Sequence, residues 1–372
     1  MKIVFTIPRL TYSGAPKMMA WIASQMASKG HDVRLVTFFS EEQARILHEK
    51  VQTHNLGIVQ SKSRVVRNSI GMAKTLFRLH KYVKHVKPDV LVSFSNSTGY
   101  AYLPIGKKFG KFKLISSERA DPYSYSSGMI KLRLTLMKYA HGTVFQTEGA
   151  RDFFKNEKNI YINSVVIPNP VVLNDDVRKI RENIPRYEER DNRIVAVGRL
   201  SVSQKRQDLL LEAFAIVHKV HPELQLVIYG DGQDESKIQT MIDGAGLADC
   251  VTLAGRINEV EKNIYSARAF VLTSDFEGIP NALIEAMSLG VPSVSTDCSP
   301  GGAALLIRDG ENGFLVPKGD AHAVAERLLE IVENKEIAEM FSANGPKIAR
   351  DFSEETIADM WEKYFITIRE SK

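Results

Sequence analysis

Short apolar segments of strand type alternate with segments of helical periodicity along almost the whole of this 372-residue chain. The strand-like runs in the first half cover residues 2–7, 31–38, 89–94, 113–118, 142–147 and 164–168. Those in the second half cover residues 193–197, 224–229, 251–254, 269–273, 292–296 and 313–316. The runs are continuously apolar, which is typical of parallel strands that helices cover on both faces. The pattern predicts an α/β protein with two doubly wound, Rossmann-like domains that face each other across a cleft.

A polar and charged stretch separates the two sets of alternating segments. We therefore expect a first domain over residues 1–170, a linker over 171–192 and a second domain over 193–352. Apolar residues at helical spacing in the last segment, 353–372, predict a helix that packs back towards the first domain.

The composition is that of an ordinary globular protein, with 44% hydrophobic and 25% charged residues. No apolar run approaches the roughly 20 residues that a membrane-spanning helix needs. The N-terminal MKIVFTIPRL enters a predicted strand without a signal-peptide cleavage pattern, so we expect a cytoplasmic protein. Cys250 and Cys298 lack metal-ligand spacing, and we interpret both as reduced and structural. No metal site is predicted.

Charge is distributed unevenly between the two halves. Residues 1–185 carry 29 Lys and Arg against 13 Asp and Glu, whereas residues 186–372 carry 20 against 31. The positive charge is concentrated in a basic segment, residues 63–88, and no acid occurs between Glu49 and Asp89. This segment is either a solvated helix face or an amphipathic helix that binds an anionic membrane leaflet. Nucleic acid is less favoured, because no recognition motif accompanies the charge.

The stretch EGIPNALIE, residues 277–285, joins a predicted strand to a predicted helix and carries two acids. Glu277 lies on the loop, and Glu285 lies about two turns into the helix. Pro280 is near the first helical position, where its missing N–H is tolerated. The free N–H groups of a helix N-terminus suit an anion, and carboxylates suit hydroxyl groups. The stretch therefore predicts a site for a nucleotide-linked sugar.

Basic side chains follow the first strand of the predicted second domain. In open α/β sheets, ligands bind beyond the carboxyl ends of the strands, so Arg199 and Lys205 are placed to meet a pyrophosphate. Gly14 lies on the loop after the first strand of the chain, where a small residue lets backbone N–H groups approach a phosphate or sugar. Arg256 and Ile257 follow another strand and could contact a base edge and its face.

The second half of the chain closely resembles the retaining glycosyltransferases of family 4, which have the GT-B fold. The resemblance rests on VGRLSVSQKR (197–206), VIYGDGQDESKI (227–238), VTLAGRINEV (251–260), FEGIPNALIEAMSLGVPSVSTD (276–297) and LIRDGENGFLVPKGD (306–320). The first half matches more loosely, through KIVFTIPRLTYSGAPK (2–17) and SERADPY (117–123). The resemblance further suggests bacterial enzymes of capsule, exopolysaccharide or lipopolysaccharide synthesis.

The resemblance implies roles for residues of the second domain. Arg199 and Lys205 should hold the donor diphosphate and support catalysis together with Glu277, which should contact the donor sugar. Glu285 should accept hydrogen bonds from the ribose hydroxyls. The backbone that should touch sugar or phosphate comprises Gly278, Ile279, Pro280 and Asn281.

In the first domain, the resemblance implies that Gly14 approaches the donor from across the cleft. Many relatives carry a histidine within the segment 117–121, where this chain reads Ser-Glu-Arg-Ala-Asp. Glu118, Arg119 and Asp121 are therefore candidates for the sugar or acceptor side.

The implied reaction moves a hexose or N-acetylhexosamine, of Gal/GalNAc or Glc/GlcNAc type, from a UDP-sugar to a lipid-linked glycan with retention. No Asp-x-Asp pair lies in a fitting place, so we expect a metal-independent reaction without a cofactor. The basic segment favours a peripheral protein at the inner face of the plasma membrane. Two alternatives remain open: a nucleotide-sugar epimerase with the same two-domain layout, and a non-catalytic nucleotide-sugar-binding subunit of a polysaccharide assembly complex.

Overall fold

The computed structural model describes residues 1–11, 14–39, 47–59, 71–94, 97–158, 163–257 and 259–371. Its strands are β1 Lys2–Ile7, β2 Asp32–Phe39, β3 Gln52–Ile58, β4 Val90–Phe94, β5 Lys113–Ser117, β6 Gly142–Phe145, β7 Ser164–Val166, β8 Asp191–Val197, β9 Gln225–Tyr229, β10 Val251–Gly255, β11 Ala267–Leu272, β12 Ser293–Thr296 and β13 Phe314–Val316. Its helices are α1 Gly14–Ser28, α2 Met72–Val86, α3 Ser97–Phe109, α4 Ser127–Met137, α5 Glu148–Lys158, α6 Asp175–Glu182, α7 Val202–Lys205, α8 Gln207–Val220, α9 Glu235–Gly244, α10 Val260–Ile264, α11 Asn281–Ser288, α12 Ala321–Glu333, α13 Lys335–Asn344, α14 Ile348–Asp351 and α15 Glu354–Glu370.

The chain forms two compact units. Unit 1 comprises Met1–Asn169 with Glu355–Lys372, and unit 2 comprises Pro170–Glu354. The sheet of unit 1 has the strand order β3-β2-β1-β4-β5-β6-β7, and that of unit 2 has the order β10-β9-β8-β11-β12-β13. Neighbouring strands of both sheets are parallel, with β1 paired to β2 from Lys2↔Asp32 and β8 to β9 from Arg193↔Gln225. Each sheet therefore contains the 3-2-1-4-5-6 order of a Rossmann-like fold, and the predicted α/β class is confirmed.

All twelve strands predicted from the sequence are present, with ends shifted by a few residues. β3, which reads QTHNLGI, is not predicted from the sequence. This strand lies at the edge of its sheet and exposes its first four residues, so it lacks the apolar run of a central strand.

Helices cover both faces of the unit 1 sheet. One core contains α1 and the apolar face of α15, including Trp361 and Phe365, against Phe5 of β1. The other core contains inward side chains of α2, α3, α4 and α5, so these four helices form one layer. The final helix thus belongs to the core of unit 1.

Residues 171–192, which the sequence suggests as a linker, are part of unit 2. They include α6, and Val171 and Val177 are buried in the unit 2 core. The chain passes from unit 1 to unit 2 directly after Asn169 and returns after Glu354. In the described part of the chain, every helix is too short or too polar to cross a bilayer.

Candidate functional site

The sheet of unit 2 reverses its strand order between β8 and β11. The chain leaves β8 towards β9 on one side and leaves β11 towards β12 on the other. Such a divergence leaves a crevice beyond the carboxyl ends of the two strands, where ligands of α/β proteins bind. The loop after β8 leads into the short helix α7, which ends at Lys205, and the loop after β11 runs through residues 273–280.

Lys205 and Glu277 form an ion pair at this position, from the lysine Nζ to the carboxylate Oε1. Their side chains are only 16% and 11% exposed. Ser274 Oγ donates a hydrogen bond to the same Oε1 at 2.8 Å. Glu277 Oε2 has no hydrogen-bond partner among the described residues, so it is the oxygen available to a ligand.

The loop that carries Glu277 is fixed on both sides. The Asp275 N–H donates to the Gln204 carbonyl at 2.9 Å, and Gln204 Nε2 donates to the Phe276 carbonyl at 3.2 Å. On the other side, the Glu277 N–H donates to the Ser299 carbonyl at 2.8 Å. The carboxylate is therefore held on a rigid backbone, as a preorganised binding site requires.

Two glycines make room for this arrangement. A Cβ at Gly198 would lie 3.2 Å from Lys205 Cε, so the lysine stem crosses the loop where a side chain is missing. Gly230 has a φ of +140°, and a Cβ there would lie 1.8 Å from the Gly198 carbonyl oxygen. Other residues at 230 would push the loops after β8 and β9 apart and displace Lys205.

The other residues predicted in unit 2 lie on the loops and helices at the same edge of the sheet. Arg199 is exposed, and its guanidinium makes neither a hydrogen bond nor an ion pair with the described part of the chain. Glu285 is half-buried in α11, Arg256 is exposed, and Ile257 is half-buried against the core. On the loop before α11, Ile279 and Pro280 are buried and Gly278 is half-buried, and Asn281 begins the helix. Their contacts with a ligand remain predictions.

Cys298 lies beside the ion pair. Burial raises the pKa of its thiol to about 12, and the charge of Glu277 adds to this shift. The thiol is therefore protonated at neutral pH and has little nucleophilic character. Both cysteines of the chain are buried and free.

A second buried ion pair lies at the carboxyl end of β5 in unit 1. Arg133 NH1 of α4 contacts Glu118 Oε2 at 2.7 Å, and the Glu118 side chain is 0% exposed. The hydroxyls of Tyr100 and Tyr125 donate to the same carboxylate at 3.2 and 2.9 Å. The guanidinium of Arg133 lies over both tyrosine rings, at 5.1 and 4.3 Å from their centroids. Glu118 is a candidate site residue in the sequence, but its three partners are not, because their local sequence gives no sign of this role.

Arg119 and Asp121 also have partners within unit 1. The Arg119 guanidinium lies 5.0 Å from the Phe94 ring centroid and donates to Asn169 Oδ1 at 2.6 Å. Burial lowers the pKa of Arg119 to about 9, which still leaves it charged at neutral pH. Asp121 Oδ1 accepts the Tyr123 N–H at 2.9 Å and caps a short turn. Gly14 begins α1 and is exposed. Substrate contacts of these residues remain predictions.

Among the described residues, no group of three or more His, Cys, Asp or Glu side chains is placed to hold a metal ion.

Comparisons with known proteins match part of the chain to a family model and nearly all of it to named glycosyltransferases. The family model described as "Glycosyl transferases group 1" matches residues 176–348, which lie inside unit 2. A Campylobacter jejuni protein named GalNAc-alpha-(1->4)-GalNAc-alpha-(1->3)-diNAcBac-PP-undecaprenol alpha-1,4-N-acetyl-D-galactosaminyltransferase is 27% identical over 99% of both chains. The amylovoran biosynthesis glycosyltransferase AmsD of Erwinia amylovora is 25% identical over 97% of this chain and 98% of its own.

Solved structures support the fold. A mutant of S. aureus TarM, in complex with fondaparinux, alpha-GlcNAc-glycerol and UDP, matches with a TM-score of 0.77 and 16% identity over 100% of both chains.

Proposed function

We propose that this GT-B glycosyltransferase transfers a hexose or N-acetylhexosamine from a UDP-sugar to a lipid-linked glycan in surface polysaccharide synthesis. The observation that carries the proposal is the Lys205–Glu277 ion pair at the strand-order reversal of unit 2. A cation and a carboxylate side by side match a donor that joins an anionic diphosphate to a polyhydroxylated ring.

In the proposed complex, Lys205 and the exposed Arg199 bind the diphosphate, and Oε2 of Glu277 accepts hydrogen bonds from sugar hydroxyls. The N-terminus of α11 directly follows the loop that carries Glu277, and the positive end of its helix dipole favours the negative charge of the diphosphate. Glu285, about one turn into α11, binds the ribose hydroxyls. Ile257 packs on the face of the base.

Transfer breaks the bond between the anomeric carbon and the diphosphate oxygen and forms a bond from that carbon to an acceptor hydroxyl oxygen, whose proton passes to the leaving diphosphate. Negative charge grows on the leaving diphosphate while the sugar becomes oxocarbenium-like. Lys205 and Arg199 stabilise that charge more in the transition state than in the ground state, which is how they accelerate the step. Lys205 and Arg199 take the place of a divalent metal in this proposal, so we expect transfer to continue in the presence of a chelator. We propose a retained anomeric configuration, which agrees with the alpha linkage in the name of the C. jejuni relative.

Three similar proteins support the choice of substrates and pathway. The TarM structure contains UDP, and the name of the C. jejuni protein describes an undecaprenol-linked glycan as its acceptor. The name of AmsD refers to amylovoran biosynthesis. We carry over to this chain a UDP-linked donor and a lipid-linked acceptor.

A lipid-linked acceptor requires contact with a membrane. Helices α2, α3 and α4 of unit 1 present a surface that suits an anionic leaflet. Lys74, Lys81 and Lys84 lie on the exposed side of α2. Phe77 lies between them and is 71% exposed. Phe109, at the end of α3, is 63% exposed and packs its ring against His80 of α2 at 6.0 Å. Lysines around exposed aromatic rings are the side chains that bind acidic headgroups and the interface below them.

Of the basic segment predicted from the sequence, residues 63–70 lie outside the described part of the chain. The described remainder, α2 with Lys87, supports a peripheral site at the cytoplasmic face of the plasma membrane. We propose no role for nucleic acid.

A donor screen tests this function. Purified protein is incubated with UDP-Gal, UDP-GalNAc, UDP-Glc and UDP-GlcNAc, each with and without undecaprenyl-diphosphate-linked acceptors, and the products are identified by mass spectrometry. We expect acceptor-dependent release of UDP with a mass increase of one sugar on the lipid. Acceptor-independent isomerisation of the donor would instead show an epimerase, and binding without turnover would show a non-catalytic subunit.

A further inference from the structure

Resting on the proposed function, we infer that Thr273 and Ser274 are positioning residues with separate tasks at the donor site. These two buried residues directly follow β11. Ser274 orients the carboxylate that binds the sugar, and Thr273 orients the lysine that binds the diphosphate.

The hydroxyl of Ser274 acts on the Glu277 side chain. Ser274 is 0% exposed, and its Oγ donates to Glu277 Oε1 at 2.8 Å. The Ser274 carbonyl in turn accepts the Thr296 hydroxyl at 2.6 Å, which fixes this residue against the end of β12. A hydrogen bond from a buried donor to a carboxylate selects one side-chain rotamer, so it turns Oε2 towards the open side of the crevice.

The hydroxyl of Thr273 acts on the main chain that carries Lys205. Its Oγ1 donates to the carbonyl of Lys205 at 2.9 Å and to that of Arg206 at 3.2 Å. Lys205 is the last residue of α7, and the carbonyls at a helix C-terminus have no partner within the helix. Thr273 supplies that partner and fixes the direction in which the lysine side chain leaves α7.

Binding of the donor separates the two tasks. The diphosphate attracts the ammonium group of Lys205, which then shares its charge between phosphate and Glu277. The Ser274 hydroxyl carries no charge that a phosphate could attract, so it remains on Glu277 and keeps the carboxylate aimed at the sugar. Loss of Ser274 therefore affects a ligand that has a sugar, whereas loss of Thr273 affects every ligand that has the diphosphate.

The test measures the binding of UDP and of the UDP-sugar that the donor screen identifies, by calorimetry, together with kcat for transfer. Ser274→Ala is expected to weaken UDP-sugar binding or lower kcat by about tenfold, the effect of one hydrogen bond to a charged group, with UDP binding unchanged. Thr273→Val is expected to weaken the binding of both ligands by similar factors, and Thr273→Ser to restore it.

The matched control is Ser293→Ala. Ser293 is also 0% exposed and donates to a main-chain carbonyl, that of Val291 at 2.8 Å, but it lies at the opposite end of β12. This variant should leave the binding of both ligands and kcat unchanged. Should Ser274→Ala fold poorly, Ser274→Cys retains a weaker donor and should give an intermediate effect.

The inference is overturned if Ser274→Ala behaves like Ser293→Ala, or if it weakens UDP and UDP-sugar binding equally. It is also overturned if Thr273→Val leaves UDP binding intact. In each of these cases, sugar transfer by the wild-type enzyme would still support the proposed function. If the wild-type enzyme neither binds a UDP-sugar nor transfers sugar from one, both the proposed function and this inference are wrong.

Discussion

The two buried ion pairs, Glu118–Arg133 and Lys205–Glu277, differ in whether a carboxylate oxygen remains available to a ligand. The Glu118 side chain is fully buried, and both of its oxygens accept hydrogen bonds from Arg133 and two tyrosines. Glu277 keeps Oε2 without a partner among the described residues. The first pair therefore holds α3 and α4 to the end of β5, whereas the second is open to a ligand.

Removal of Arg133 should destabilise unit 1. Arg133→Ala removes the cation that contacts the buried Glu118 carboxylate, and an uncompensated buried charge costs about 3–5 kcal/mol. Both tryptophans, Trp21 and Trp361, lie in unit 1, so tryptophan fluorescence during urea unfolding reports on this unit alone.

Lys131→Ala, at an exposed position of the same helix, is the control and should change the free energy of unfolding by less than about 0.5 kcal/mol. Equal effects of the two variants would contradict a stabilising role for the buried pair.

At the scale of elements, α15 is bound to unit 1 by an apolar face and by a polar contact at its side. Trp361 stacks on Phe94 with a centroid distance of 6.1 Å. Glu362 Oε2 accepts Lys29 Nζ at 2.9 Å, and its Oε1 lies 2.7 Å from His31 Nε2. The apolar face supplies most of the free energy of docking, and the polar contact makes that docking depend on pH.

The hydrogen bond from Lys29, and to a lesser extent the one from His31, lowers the pKa of Glu362. A carboxyl with a lowered pKa in the folded state stabilises that state above its unfolded pKa, about 4.3, and loses the contribution as pH falls through the folded pKa. Glu362→Gln should therefore destabilise unit 1 by about 0.5–1 kcal/mol at pH 7 and progressively less below about pH 4.

Thermal unfolding followed by tryptophan fluorescence at several pH values measures this difference. The control is Glu355→Gln at an exposed position in the first turn of α15, which should change the stability of unit 1 at pH 7 by less than Glu362→Gln does. A Glu362→Gln effect that stays constant down to pH 3 would rule out the ionic origin.

At this scale, an element could be predicted when a short stretch of its own sequence marks it, and not when it depends on partners distant in the chain. β8, β11 and the loop to α11 carry apolar runs, Gly and Pro in a fixed order, so their positions could be predicted, and with them the placement of Lys205 and Glu277 at one edge of the sheet. β3 is stabilised by a single neighbour and has a polar surface, and the polar α6 is held by two buried valines, Val171 and Val177. Arg133, Ser274 and Thr273 gain their roles from partners that only the fold brings close.

At the scale of the whole molecule, the two halves of the sequence have opposite net charge. Within residues 50–147 the acids are Asp89, Glu118 and Asp121, of which the last two are buried. Helices α2, α3 and α4 of unit 1 therefore present lysines with few compensating acids, while the half of the chain that contains most of unit 2 is acidic. This distribution favours binding of unit 1 to an anionic surface.

Charge reversal of Lys74, Lys81 and Lys84 to Glu should lower binding to vesicles that contain phosphatidylglycerol by about a hundredfold or more, since each lysine near the surface contributes about 1 kcal/mol. Arg78 is left unchanged, because its NH1 donates to the carbonyls of Leu56 and Gly57. Vesicle co-sedimentation at low and high salt measures the effect.

The matched control reverses three exposed lysines of unit 2, Lys219, Lys237 and Lys318, which makes the same change in net charge. Membrane docking by α2 predicts that these variants bind vesicles far better than the α2 variants. If both sets of variants lose vesicle binding equally, α2 does not dock on the membrane, and its lysines form an ordinary solvated helix face.

The most direct measurement is the rate of sugar transfer by Glu277→Ala and Lys205→Ala, with the donor and acceptor that the screen identifies. The control is Lys335→Ala, which removes a lysine from an exposed ion pair with Glu188 in the same unit. Each site variant should lose at least about a hundredfold in kcat while remaining folded, as loss of a group that stabilises the transition state does. The control should keep wild-type activity. Site variants that transfer sugar at the control's rate would show that the Lys205–Glu277 pair is not the donor site.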